Sequence, residues 1–341
     1  MKQVISVVGA RPNFMKVAPI HRAFEQRKGE FTHRIVHTGQ HYDAAMSDAF
    51  FTDLNMPQPS WYLGVGSSSH AQQTAAVMTG LEDVFNGEKP DYVVVVGDVN
   101  STLAAALVSV KMGIRTGHVE SGLRSGDMSM PEEVNRRATD AVVDDLFVTE
   151  QSGLDNLIRE GHAPHTIHFV GNTMIDSLLY ALPQAEASPV TSQLGLSSTP
   201  YALVTLHRPS NVDDPSQLKT LLFMLQSISE RISLVFPVHP RTRQRISSLG
   251  VPLNSSKLHL IDPVGYIDFL SLMKGAQFVL TDSGGIQEET TALQVPCITA
   301  RTTTERPSTT TIGSNQLVNP TSEAIEAAIA DVLEGRARKG M

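Results

Sequence analysis

Residues 277–293, QFVLTDSGGIQEETTAL, join an apolar run, a polar turn bearing glycine, and a segment with helical spacing that carries a carboxylate. Phe278, Val279 and Leu280 read as a short buried strand, and the spacing from Ile286 to Leu293 predicts a helix. Ser283, Gly284 and Gly285 then stand at the carboxyl end of the strand and at the start of the helix. Backbone N–H groups there lack intrahelical partners and attract an oxyanion. Glu289 follows one turn into the helix, within reach of hydroxyl groups attached to such an anion. A phosphate on the turn and a diol against the carboxylate describe one end of a nucleotide. Taken alone, SGG also reads as a serine capping an ordinary βα unit.

Other polar groups fall at the ends of predicted strands: Arg11 and Lys16 after the first apolar run, Asp98 after VVVVG, and Glu120 after GHV. Glu132 and Glu133 lie in MPEEVNRR, and His207 and Arg208 close YALVTLHR. Several carboxylates and a histidine facing a phosphate turn suit proton transfer next to a phosphorylated leaving group. A carboxylate acting as base there needs a raised pKa, which crowding with other carboxylates supplies. Each residue also has a plainer reading. Asp98 is placed to cap a helix beginning near Ser101, Glu132 and Glu133 suit a helix dipole, and His207 suits a local hydrogen bond. Their joint placement favours chemistry. SGLRSGD, residues 121–127, reads as a loop beside the site; Arg124 and Arg136 either serve an anionic substrate or pair with the surrounding acids.

These residues need a scaffold that gathers strand ends. VISVV (4–8), IVHTG (35–39), DYVVVVGD (91–98), RTGHV and DDLFV (144–148) read as strands separated by helical segments, which argues for an open, mostly parallel α/β sheet. Ligands of such sheets lie beyond the carboxyl ends of the strands. Composition changes in the polar run at 184–200, and the pattern then restarts with YALVTLH, ISLVFPVH, KLHLI, QFVLTD and VPCIT. With 341 residues, more than one core usually holds, two α/β domains are expected, 1–180 and 181–341, with a cleft between them as the natural ligand site.

Composition excludes several classes. The net charge of -8, from 27 basic and 35 acidic residues with no basic tract, argues against nucleic acid as partner. The first apolar run is too short for a membrane span and no cleavage signal follows it, so a cytoplasmic protein is expected. Cys297 is the single cysteine and reads as a small core residue. The 12 histidines show no metal-ligand spacing, so no metal is expected. GARPNF is not a dinucleotide fingerprint, GDVNSTLAA is not a P-loop, and GxSxG is absent.

The chain resembles the non-hydrolysing UDP-N-acetylglucosamine 2-epimerase family. The landmarks are GARPNFMKVAPI, HTGQHYD, VVVVGDVNSTLAA, GHVESGLRSGDMSMPEEVNRR, FVGNTMIDSL, VTLHRPSNVDD, FPVHPRT, TDSGGIQEE and TTTERPSTTTIGSNQLV, which span almost the whole chain. The resemblance implies two Rossmann-like domains in a glycosyltransferase-B arrangement, with the UDP-sugar in the interdomain cleft and a homodimer as the usual assembly. It implies reversible inversion at sugar C2 without NAD or a catalytic metal, by elimination and return of UDP, and a role in polysaccharide biosynthesis. Matched residue by residue, it assigns Arg11, Lys16, His207, Arg208, Ser283, Gly284 and Gly285 to the diphosphate and adjoining sugar, Glu289 to the ribose and Phe269 to the uracil. Asp98, Glu120 and Glu132 take the acid and base positions, Glu120 or Asp98 being expected to move the C2 proton, and Arg136 is a substrate-binding candidate. A second, regulatory UDP-N-acetylglucosamine site would involve Gln40 and His41.

The chain departs from the family pattern in three places. LHRPSNVDD stands where many members have GHRREN, Ser121 where alanine is usual, and the ending LEGRARKGM replaces an expected DGxAAxRI segment and last helix. A related substrate such as a diacetamido uronate, a UDP-sugar glycosyltransferase and an inactive nucleotide-sugar sensor are the alternatives.

Overall fold

The computed structural model describes residues 1–39, 51–251, 253, 255–338 and 340. The chain divides into two compact units, Met1–Tyr180 and Ala181–Met341. The first is built on strands β1 (Lys2–Val8), β2 (Phe31–His37), β3 (Trp61–Tyr62), β4 (Tyr92–Val96), β5 (Arg115–Ser121), β6 (Asp145–Val148) and β7 (Ile167–Phe169). The second contains β8 (Tyr201–Thr205), β9 (Ser233–Pro237), β10 (Leu258–Ile261), β11 (Val279–Thr281), β12 (Cys297–Ala300) and β13 (Asn315–Val318). Both are α/β units of Rossmann type. The first sheet runs β3-β2-β1-β4-β5-β6-β7 and the second β10-β9-β8-β11-β12-β13, with every pairing parallel.

The apolar runs explain this layering. Central strands such as β4, YVVVV, are buried on both faces because crossover helices cover both sides of a parallel sheet. Ile5, Val7, Val93 and Val95 pack with Val77, Leu81 and Phe85 of helix His70–Glu88 and with Ala104, Ala105 and Val108 of helix Asn100–Lys111. In the second unit Val204, Phe236, Leu280 and Ile298 pack with Leu218, Leu222 and Leu225 of helix Pro215–Ser229 and Ile325 and Ile329 of helix Ser322–Leu333. Proline opens the helices Arg11–Glu25, Pro131–Val142 and Pro215–Ser229, where its missing N–H costs nothing.

The polar run at 184–200 follows the division between the units. Division falls inside helix Thr173–Glu186, and the run belongs to the second unit, where the Ser188 hydroxyl donates to Asp268 (2.6 Å). Among the described residues, no helix is long and apolar enough to cross a membrane.

Strand order reverses between β1 and β4 in the first sheet and between β8 and β11 in the second. Crossover helices diverge at such points and leave a crevice beyond the strand ends. The loops after β1 and β4 contain Gly9 and Gly97, and those after β8 and β11 contain His207 and Asp282.

Candidate functional site

At the first reversal point, Asn13 joins the two strand ends. Its side-chain oxygen accepts from the N–H groups of Gly9 (2.9 Å) and Ala10 (3.0 Å), and its amide donates to the Val96 carbonyl (3.1 Å). Lys16 lies one turn further along helix Arg11–Glu25 and forms an ion pair with Glu120; the two residues are 4% and 5% exposed. Glu120 has φ +74°, a left-handed conformation that costs a residue with a side chain about 1–2 kcal/mol. The β5 register slips at the same place, between Val119 and Ser121. Gly97 has φ +70°, and a Cβ there would fall 2.9 Å from Lys16 Nζ and 3.2 Å from Asn13 Nδ2. Both backbone and space demand glycine.

Asp98 does not cap the neighbouring helix, whose N-cap is Val99. Its carboxylate pairs with Arg136 Nε (3.1 Å), and its carbonyl accepts from Asn135 (2.9 Å). Arg136 is buried and also binds Glu133 (2.5 Å), so its guanidinium pairs with surrounding acids. Glu133 additionally accepts from the Ser125 N–H (2.9 Å) and hydroxyl (3.0 Å). Burial pushes the Glu133 carboxyl up, but the Ser125 N–H and Arg136 outweigh it and leave its pKa below the usual range. Adjacent helical positions diverge by about 100°. Glu132 is accordingly exposed in the first turn of helix Pro131–Val142 while Glu133 points inward.

At the second reversal point, buried Asp282 accepts from the N–H groups of His207 (3.0 Å) and Arg208 (2.9 Å) and from Asn211 (2.8 Å). His207 Nδ1 lies 2.9 Å from the same carboxylate, which makes Nδ1 the donor. The His207 side chain is 57% exposed. Burial raises the Asp282 pKa, but His207, the Arg208 N–H and Asn211 overcome it and hold the carboxyl below its ordinary value.

Ser283 is the N-cap of helix Gly284–Ala292, but its side chain makes no capping bond. The first N–H groups of that helix therefore have no hydroxyl cap. Gly284 is pressed by a buried ionic cluster: a Cβ would fall 2.4 Å from Glu305 Oε1 and 2.7 Å from Arg306 Nη1. Arg306 binds Glu288 (2.6 Å) and Glu305 (2.5 Å), and Arg301 binds Glu305 (2.9 Å). Glu289 accepts from the Tyr266 hydroxyl (2.9 Å). Burial pushes its carboxyl up to about 7, Tyr266 opposing and Glu288 adding to the effect. Phe269 is half-buried three residues after Tyr266 on helix Tyr266–Gly275, on the same side of that helix.

A family profile described as UDP-N-acetylglucosamine 2-epimerase matches residues 22–341. The chain belongs to the UDP-N-acetylglucosamine 2-epimerase family. It is 42% identical over 336 residues to the UDP-N-acetylglucosamine 2-epimerase of Methanocaldococcus jannaschii, covering 96% of this chain and 91% of that one. The UDP-2,3-diacetamido-2,3-dideoxy-D-glucuronate 2-epimerase of Pseudomonas aeruginosa is 40% identical over 327 residues, covering 95% and 90%. The crystal structure of the M. jannaschii enzyme in complex with UDP-GlcNAc and UDP has a TM-score of 0.89 at 42% identity, over 98% of this chain and 93% of that one.

In this epimerase-family chain the structure gathers Lys16 with Glu120, Asp98 with Arg136, His207 and Arg208 with the Asp282–Ser283 turn, and Glu289 with the Tyr266–Phe269 helix face. Arg11 is the first residue of its helix. Gln40 and His41 lie outside the described residues. Sequence reasoning passed over Asn13, His118, Asp140, Tyr266 and Asp282. His118 stands two positions before Glu120 and Asp282 directly before Ser283, which was the available signal, but their partners come from other strands and helices.

Proposed function

We propose that this chain interconverts UDP-N-acetylglucosamine and UDP-N-acetylmannosamine by eliminating and re-adding UDP. Glu120 or Asp98 takes the proton from C2, and the electrons of that bond form a C1–C2 double bond. The C1–oxygen bond breaks and UDP leaves with its electron pair. UDP oxygen then returns to C1 while a proton reaches C2 on the opposite face, with Glu132 assisting. The sequence is redox-neutral. Lys16, Arg11, His207 and Arg208, with the Ser283–Gly285 N–H groups, would meet charge developing on the leaving diphosphate, where preorganised donors lower the barrier most. Glu289 would take the ribose hydroxyls and Phe269 the uracil.

The observation that carries this reading is the buried Lys16 and Glu120 pair set against Gly97, the residue that leads into Asp98. It puts a cation and two carboxylates at one reversal point, while the uncapped Ser283 turn supports nucleotide binding by the other unit. A homodimer, a cytoplasmic location, two-domain glycosyltransferase-B packing and a regulatory UDP-N-acetylglucosamine involving Gln40 and His41 complete the proposal on family membership.

Incubation with UDP-N-acetylglucosamine in deuterated water should give UDP-N-acetylmannosamine with deuterium at C2. The P. aeruginosa relative supports a second substrate, the UDP-diacetamido-glucuronate, at nearly the same identity. Comparing kcat/KM for the two sugars decides between them. A folded protein that epimerises neither would overturn the proposal.

A further inference from the structure

One buried titratable pair has no part in the steps above. His118, in β5, is fully buried, with Nδ1 2.6 Å from Asp140 Oδ1 and Nε2 2.7 Å from the Gly97 carbonyl. A carbonyl only accepts, so Nε2 carries a proton. Asp140 also faces Arg124 (2.8 Å) and the Gly122 N–H (2.9 Å). Burial raises its pKa, but His118 and Arg124 more than compensate, and it stays ionised.

The target of the Nε2 proton decides the role of the ring. The Gly97 carbonyl belongs to the peptide that leads into Asp98. The preceding peptide is held as well, because the Gly97 N–H donates to the Val119 carbonyl (3.1 Å). Consecutive residues of β5, His118 and Val119, thus clamp both peptides of Gly97, and the next residue of β5 is Glu120. His118 and Asp140 lie among the buried groups behind the loop, and neither is needed to contact substrate.

Building on the epimerase reading, we propose that His118 and Asp140 are positioning residues that set the separation between the two proton-transferring carboxylates, Asp98 and Glu120. Proton removal at C2 needs these carboxylates held at a fixed distance from each other and from the sugar. One strand carries Glu120 and, through the His118 to Gly97 bond, also fixes the turn that carries Asp98.

The test compares His118→Gln with His118→Asn using UDP-N-acetylglucosamine as substrate. A glutamine amide replaces Nε2 and keeps the bond to Gly97, whereas an asparagine amide replaces Nδ1 and loses it. His118→Gln should stay within about 10-fold of wild-type kcat, and His118→Asn should fall by about 10²-fold, since small misplacements cost on that scale. KM should change little. In His118→Asn the released UDP and unsaturated sugar should rise relative to epimer, because elimination outlasts a misplaced return step. A purely structural role predicts equal loss for both variants, tracking the folded fraction in a thermal scan, with that product ratio unchanged. If neither His118 variant folds, Asp140→Asn is the probe: it should lower kcat and raise the released fraction. Folded His118→Asn or Asp140→Asn with wild-type kcat and product ratio overturns the inference. Absence of epimer from the wild-type chain removes the reaction and the inference with it, whereas normal wild-type turnover beside unaltered variants removes the inference alone.

Discussion

Glu120→Gln keeps the shape of the side chain and removes its charge, leaving the Lys16 ammonium in a site where it is only 4% exposed. Breaking a buried ion pair from one side costs about 3–5 kcal/mol, because the remaining charge has neither water nor partner. For a unit the size of Met1–Tyr180, each kcal/mol moves the Tm by about 2–4 °C, so a fall of roughly 6–20 °C is expected. Turnover should drop by about 10²-fold or more, the usual contribution of a positioned proton-transfer group. Lys16→Met in the same chain separates the two effects. With both charges gone the buried site is neutral, and most of the Tm should return, while C2 exchange stays lost. The assays are a thermal scan and deuterium incorporation at C2, each on the single and the double variant. Near-normal exchange in folded Glu120→Gln would remove Glu120 from the mechanism. A double variant less stable than Glu120→Gln would refute the buried-charge account.

Glu289 keeps its proton to about pH 7 in the folded chain against a reference of 4.5, so its contribution to stability is complete below about 4.5 and is lost as pH rises through 7. That difference corresponds to about 3 kcal/mol. Glu289→Gln should flatten the stability profile of the ligand-free protein between those values, and an unchanged profile would contradict the burial argument. Because ribose hydroxyls donate best to the ionised carboxylate, calorimetry should show UDP-N-acetylglucosamine binding tightening from pH 6 to 8 in wild type but not in Glu289→Gln. Gly97→Ala imposes a left-handed alanine, costing about 1–2 kcal/mol, and its Cβ would sit 2.9 Å from Lys16 Nζ. Its kcat should fall more than its UDP affinity, and full activity would show that Lys16 can move without penalty. Cys297 is 1% exposed and burial pushes its thiol up to about 11, so a thiol reagent at pH 7.5 should label it only after denaturation. Rapid labelling of native protein would contradict its place in β12.

Local sequence was sufficient for the longer apolar strands and for most of the loops that carry chemistry, but not for the short edge strands β3, β7 and β13, which carry no such run. Runs such as YVVVV and FVL can only be buried strands of a parallel sheet, and a polar residue directly after such a run must lie at its carboxyl end. Asp98, Glu120, His207 and Ser283 were legible for that reason. Proline and glycine marked helix starts and turns, but the polar run at 184–200 resembled a linker because composition does not reveal that Ser188 binds Asp268. Glu132 and Glu133 show the same limit at the scale of one turn: identical and adjacent in sequence, they separate into an exposed carboxylate and a buried one bound to Arg136 and Ser125. Arg136 had two readings until Asp98 and Glu133 were seen around it. Asp140 had no local signal, and Asp282 had only its place directly before Ser283. Asp282 is held by His207 and Asn211, 75 and 71 positions away, and Asp140 by His118, 22 positions away. Periodicity reports which face of an element is apolar, whereas the protonation and aim of a buried polar group depend on what the fold packs against it, and only the tertiary structure decides that.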